Sequence, residues 1–208
     1  MKQLTHDVCR LTSAVGACCY WLDTGDRVAI VDPGMKAGLN PVARELRAAG
    51  RSPYEVTDIL LTHGDVDHAA AAAEWQRRTG ARVWLGSADA AVLTGAIPPP
   101  STPFRRFTGA LIRPELPGNL RLLPGGDTEL WPGLLALHTP GHTPGHHSFQ
   151  AGKVLFVGDT ALADAGGLRP MPAFLMSDVE QGLVDLARLR ALDVEWLCCG
   201  HSDPVRLR

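Results

Sequence analysis

At 208 residues the chain is long enough for one large domain and too short for a catalytic domain with a sizeable accessory one. With 45% hydrophobic residues, 20% charged residues and a net charge of −2, it carries no electrostatic footprint for nucleic acid or an anionic membrane. The start, Met1-Lys2-Gln3-Leu4-Thr5-His6, lacks a signal peptide's apolar core, and the five cysteines show no CxxC spacing, so reduced thiols in a cytoplasmic protein are expected.

Residues 18–22 and 27–31 are two β-prone runs around the turn Asp23-Thr24-Gly25-Asp26, which predicts a hairpin. Asp32-Pro33-Gly34 then breaks the second strand. Asn40 followed by Pro41 predicts a helix start, with Val42, Leu46 and Ala49 as its apolar stripe and Gly50 at its end. Residues 58–61 read as a short buried strand and 69–78 as a helix stopped near Gly80. A strand at 81–85 follows, and Ser87 is expected to cap a short helix to Leu93. From Thr94 to Gly118 repeated prolines exclude regular structure, so a Pro-rich loop insertion is expected there. Strands are predicted at 120–123, 128–131, 134–138, 153–157 and 194–199, and residues 163–176 read as a second irregular loop. Ser177 with Glu180 forms a capping-box pattern, and Val179, Leu183, Leu186 and Leu189 line the helix behind it. Trp21, Trp75, Trp84, Trp131 and Trp196 are expected in the core. No internal repeat or linker appears, so residues 1–208 read as a single domain. Alternating strands and helices favour an α/β layered class.

The polar motifs share one placement. Thr62-His63-Gly64-Asp65-Val66-Asp67-His68 lies where a strand hands over to a helix. His142, Asp159 and His201 each lie just beyond the carboxyl end of a predicted strand, where sheets present catalytic groups. The bland readings apply elsewhere. His6 and His147 are best taken as ordinary polar residues. His138 and His146 are either strand polar residues or partners that orient a ligand imidazole. Asp32 and Asp58 read first as strand-end or loop hydrogen bonders, with Asp58 kept as an orienting candidate.

These motifs, in this order, resemble the metallo-β-lactamase fold, a broad superfamily of metal-dependent hydrolases. The hairpin ending Val31-Asp32-Pro33-Gly34 is similar to its opening, and Thr62–His68 occupies the place of its HxHxDH signature. Thr139-Pro140-Gly141-His142-Thr143-Pro144-Gly145-His146 is similar to its third metal motif. Gly158-Asp159-Thr160 and Gly200-His201 stand where its bridging carboxylate and last histidine belong. The resemblance implies an αββα sandwich of two mixed β-sheets flanked by helices, with two divalent metal ions at one rim. Carried over by position, His63, Asp65 and His142 would hold one ion, Asp67, His68 and His201 the other, and Asp159 would bridge. Asp65 departs from the signature, which has histidine there. Either it ligates, or the first ion binds weakly and one ion works alone. Aspartate is a competent ligand for zinc, manganese or iron, and zinc is the expected metal. A third carboxylate should raise the pKa of bound water, so Asp65→His is expected to retain activity and move the pH optimum downward.

The implied chemistry is hydrolysis by a metal-bound hydroxide, with Asp67 placed to accept or relay the proton. No serine or cysteine triad competes. The start disfavours a secreted lactamase. The chain stops at Arg208 without the further helical region of the similar glutathione-thioester hydrolases, and the inserted arm of the family nucleases is missing. A small-molecule ester, thioester or lactone is therefore the expected substrate. Met35, Phe104, Phe107, Met171, Phe174 and Met176 are candidate walls, and Arg105, Arg106 or Arg169 candidate partners of a carboxylate. Arg113 reads as a solvated charge. Two rival readings remain: an iron-dependent oxidoreductase on the same fold, and a non-catalytic binding module. The sequence carries no signal for oligomeric state; a homodimer is compatible with it.

Overall fold

Period-two alternation along the strands sorts side chains between two buried faces, and that sorting makes the layers. In a computed structural model that describes residues 1–99 and 113–207, β3 (Cys19–Asp23) and β4 (Val28–Val31) are buried on both sides. Trp21 and Ile30 face one cluster, Tyr20 and Val31 another, as a pleated strand with both faces covered requires.

The first sheet has seven strands hydrogen-bonded in chain order. They are β1 (Lys2–Gln3), β2 (Val8–Leu11), β3, β4, β5 (Asp58–Leu60), β6 (Arg82–Gly86) and β7 (Leu120–Leu123). β1 to β4 pair antiparallel, and β4 to β7 pair parallel. The second sheet contains β8 (Thr128–Trp131), β9 (Leu134–His138), β10 (His147–Ala151) and β11 (Val154–Gly158). After a separate hairpin of β12 (Ala161–Asp164) and β13 (Gly167–Pro170), it is completed by β14 (Trp196–Cys199) and β15 (Val205–Arg206). Only β11 and β14 run parallel within it. Both sheets are thus mixed.

Helices α1 (Leu39–Ala48) and α3 (Ala72–Thr79) cover the outer face of the first sheet through Leu46 and Trp75. Tyr20, Leu60, Phe149 and Phe156 fill the space between the sheets. Helix α5 (Val179–Arg190) covers the second sheet with Leu186 and Leu189 against Leu155 and Val157. The sequence of layers is helix, sheet, sheet, helix, the αββα arrangement expected. Among the described residues no helix is long and apolar enough to cross a membrane.

Several expectations about local elements are corrected. α1 begins one residue before Asn40, whose Oδ1 accepts instead from Arg78 Nη1 at 2.9 Å. The helix expected over 69–78 is two pieces, α2 (Val66–Ala69) and α3, with Gly80 at φ +74° closing the second. Residues 163–176 are not irregular throughout: they include most of the β12–β13 hairpin and a single 3-10 turn, Ala173–Leu175. Asp178, not Ser177, caps α5, accepting from Gln181 N–H at 2.9 Å. Val179 and Leu183 are exposed rather than packed. β10 was not distinguishable from the His-rich loop before it. All five cysteines are free and buried; Trp84 and Trp196 are only partly buried.

Candidate metal centre

Four strand ends supply the cluster. β5 runs out at Leu60, and the turn after it carries His63 and Asp65; Asp65 is the last residue before α2, and that helix carries Asp67 and His68 in its single turn. His142 sits in the loop between β9 and β10, Asp159 directly after β11, and His201 two residues after β14. Three groups form among the described residues, each with candidate ligand atoms within 4.8 Å of one another: His63, Asp65 and His142; Asp67, His68 and His201; and His63, His68 and Asp159.

Distances give the shape. Asp65 Oδ2 lies 3.4 Å from His63 Nε2 and 3.4 Å from His142 Nε2. Asp67 Oδ2 lies 3.2 Å from His201 Nε2 and 3.9 Å from His68 Nε2. Asp159 faces both groups, with Oδ2 3.6 Å from His142 Nε2 and 3.3 Å from His201 Nε2, and Oδ1 3.5 Å from His68 Nε2. These separations are those of atoms that converge on a shared point. Two of the atoms, His63 Nε2 and Asp159 Oδ1, are buried and take no hydrogen bond among the described residues. A buried polar atom left without a partner costs about 1–3 kcal/mol, and a cation held between them removes that cost. The donor set therefore fits divalent metal ions.

The imidazoles are held with their Nε2 lone pairs toward this point. Asp32 follows β4 in the left-handed region at φ +49°, a conformation aspartate tolerates better than most residues. Its carboxylate accepts from His68 Nδ1 at 2.8 Å and from Thr62 Oγ1 at 2.7 Å, while Thr62 Oγ1 lies 3.0 Å from His63 Nδ1. With its own proton given to Asp32, Thr62 Oγ1 accepts from His63 Nδ1–H. Both rings then carry their proton on Nδ1, the second-sphere pattern of a metal-binding histidine. His146 is buried behind the cluster. Its Nε2 accepts from the Asp159 backbone N–H at 3.1 Å, and its Nδ1 meets Thr139 Oγ1 at 2.8 Å.

The electrostatics follow from this crowding. Burial works against the charge on His68, yet Asp159 and Asp32 carry its pKa well above the ordinary value. Hydrogen bonds that His201 donates to the Asp159 and Asp67 carboxylates lift it to about 10. Burial would raise Asp159, but His68 and His201 hold it well below the usual carboxylate range. Burial, with His63 and His142 beside it, pushes His146 well down and keeps that ring neutral.

Two orienting candidates are corrected. Asp58 lies at the amino end of β5, away from the cluster. It is fully buried and accepts from Arg82 Nη2 at 2.8 Å and Trp84 Nε1 at 2.8 Å. His138 sets Nε2 3.4 Å from the Pro144 carbonyl and packs its ring on His147. Of the wall candidates, half-buried Met35 lies near Gly16 and the Asp67 backbone, and Phe174 is exposed. Met171 and Met176 are buried, and Met176 packs its methyl against Gly182 of α5, so its contact is with the scaffold. Arg169 pairs with Asp164 across its own hairpin at 3.0 Å. Phe104, Phe107, Arg105 and Arg106 lie outside the described residues. Of two buried aspartates that support the cluster, Asp32 was read from sequence as a strand-end hydrogen bonder, as it is, but without its tie to the ligand imidazoles, and Asp89 was not singled out. Asp32 had a usable signal, since it stands at the carboxyl end of its strand like the ligands.

Residues 14–201 match the family described as the Metallo-beta-lactamase superfamily. The chain is 26% identical over 199 residues to the probable metallo-hydrolase YflN of Bacillus subtilis (strain 168), covering 85% of this chain and 75% of that protein. It is 29% identical over 164 residues to the hydroxyacylglutathione hydrolase GloC of Haemophilus influenzae, covering 74% of this chain and 71% of GloC. Among solved structures, a di-iron-bound form of TTHA1623 superposes with a TM-score of 0.69 at 28% identity, covering 91% of this chain and 89% of that one.

Proposed function

Since the chain belongs to the metallo-beta-lactamase superfamily, we propose that it is a two-metal hydrolase of small thioesters, esters or lactones. One observation carries this reading: seven side chains from four strand ends converge in overlapping groups of three, with two of their buried atoms taking no hydrogen bond among the described residues. Two divalent ions so held, zinc in the first instance, would supply an activated water and Lewis acidity toward an acyl carbonyl.

The chain's own groups do the rest. His63, Asp65 and His142 hold one position, Asp67, His68 and His201 the other, and Asp159 reaches both. The Asp67 side chain is partly exposed, with Oδ2 beside His201, which suits it to take a proton and pass it outward. Asp32 holds the Nδ1 proton of His68 directly and that of His63 through Thr62 Oγ1, so neither ring can turn its lone pair away. Similarity to GloC favours a thioester within the acyl class, and the five buried thiols suit a reducing compartment such as the cytoplasm.

The test is elemental analysis of purified protein together with a panel of thioester, ester, lactone and phosphodiester substrates. Two ions per chain and acyl hydrolysis are expected; cleavage of phosphodiesters alone would refute the acyl assignment. The di-iron form of TTHA1623 and the three-carboxylate donor set favour one second reading, an iron oxidoreductase. Iron in the purified protein with oxygen uptake would select it.

A further inference from the structure

His63 and His142 come from different sheets, so no local geometry fixes the 4.7 Å between their ring centres. What lies between their loops is α4 (Ser87–Thr94), which begins directly after β6. Asp89, in its first turn, is 3% exposed. Its Oδ2 accepts from Gly64 N–H at 2.8 Å and Thr143 Oγ1 at 2.8 Å, and its Oδ1 accepts from Gly145 N–H at 2.7 Å. Gly64 stands between His63 and Asp65; Thr143 follows His142. All three partners donate, so the ionised carboxylate is the form that satisfies them. The packing around it leaves no slack. A Cβ on Gly145 would sit 2.4 Å from Asp89 N, and one on Gly86 would sit 1.8 Å from the Gly145 carbonyl oxygen.

We propose that Asp89 is a positioning residue for one half of the metal centre: it clasps the loop of His63 and Asp65 to the loop of His142, and so sets the spacing of those three ligands. The proposal rests on the two-metal reading above. Asparagine at 89 turns an amide donor toward one of three N–H or O–H donors and forces one loop off the clasp. The position formed by Asp67, His68 and His201 has no bond to Asp89 and keeps its geometry.

Zinc titration of the metal-free protein by calorimetry, with ions counted after dialysis, tests this. The wild type should show two uptake events, one of which Asp65→Ala abolishes. Asp89→Asn should weaken that same event about 10–100-fold, the range for outer-sphere partners, and leave the other within about threefold. Thr143→Val, which removes one of the three bonds and is the gentler change, should weaken the same event several-fold, and Thr143→Ser should restore it. Unchanged events in Asp89→Asn, or equal weakening of both, would overturn the proposal. A single wild-type event supports it if both Asp89→Asn and Asp65→Ala weaken it, and overturns it otherwise. Wild-type protein that takes up no zinc would overturn the metal reading itself and the proposal with it.

Discussion

His201 shows how the site holds charge before any ion arrives. Hydrogen bonds donated to the Asp159 and Asp67 carboxylates raise it from 6.5 to about 10, so the imidazole is cationic at neutral pH, whereas a metal ligand must be neutral. Zinc uptake by metal-free protein at pH 7 should therefore release protons, and affinity should rise with pH. Calorimetry in buffers of different ionisation heat measures this; uptake without proton release would show His201 already neutral. The same shift stabilises the metal-free fold below pH 6.5, and that contribution is lost as pH climbs through about 10. Asp58 gives the contrasting case. Asp58→Asn should leave activity intact and cost about 1–3 kcal/mol in urea unfolding, because it weakens buried bonds to Arg82 and Trp84 remote from the site. The strand-end placement of the polar motifs was legible in the sequence from the residues, whereas the set of seven candidate ligands came from their resemblance to the family's motifs. Asp32 and Asp58 looked alike there: each flanks a strand. The parallel pairing of β4 with β5 turns their places in sequence into opposite ends of the sheet, with Asp32 at the rim that carries the cluster.

Elements were legible where hydrophobic period alone decides them, and misread where tertiary partners compete for a cap. Ser177 has the right type to cap α5, but its Oγ donates to the His142 carbonyl at 2.6 Å, leaving Asp178 to cap. Asn40 is likewise drawn to Arg78. The same competition makes α1 a support for the site. Glu45 accepts from Thr12 N at 2.9 Å, Thr12 Oγ1 at 2.7 Å and Ser13 N at 2.8 Å. That anchors the loop that continues to Gly16, where an added Cβ would meet the Asp67 carbonyl at 2.6 Å. Burial would raise its pKa, but the N-terminal ammonium and the Thr12 and Ser13 donors bring it from 4.5 to about 2. Glu45→Gln should cost about 1–2 kcal/mol at pH 7 once solvent screening is allowed for. A depressed folded pKa stabilises above 4.5 and is lost as pH falls toward about 2. The gap between wild type and variant should therefore close over that interval in acid unfolding curves. A gap independent of pH would show that the carboxylate charge contributes nothing.

At the scale of the whole molecule the site is a joint between two halves. His63, Asp65, Asp67 and His68 follow a strand of the first sheet, whereas His142, Asp159 and His201 follow strands of the second. Between the sheets the contact is largely apolar, but at this rim three carboxylates lie within 4 Å of the cluster's imidazoles. Metal ions held by these residues would replace those pairings with cross-links between the sheets. Binding to the folded state alone stabilises it by about 2.7 kcal/mol at a free-metal concentration of 100 times Kd. For a chain of this size each kcal/mol moves Tm by about 2–4 °C, so saturation of one position should raise Tm by about 5–11 °C. Chelation should reverse it, and Asp159→Ala, which removes the one carboxylate facing both groups, should cut the response to metal more than Asp65→Ala does. Thermal unfolding with and without chelator decides this. A Tm indifferent to zinc in the wild type would mean that the two sheets meet at this rim without an ion between them.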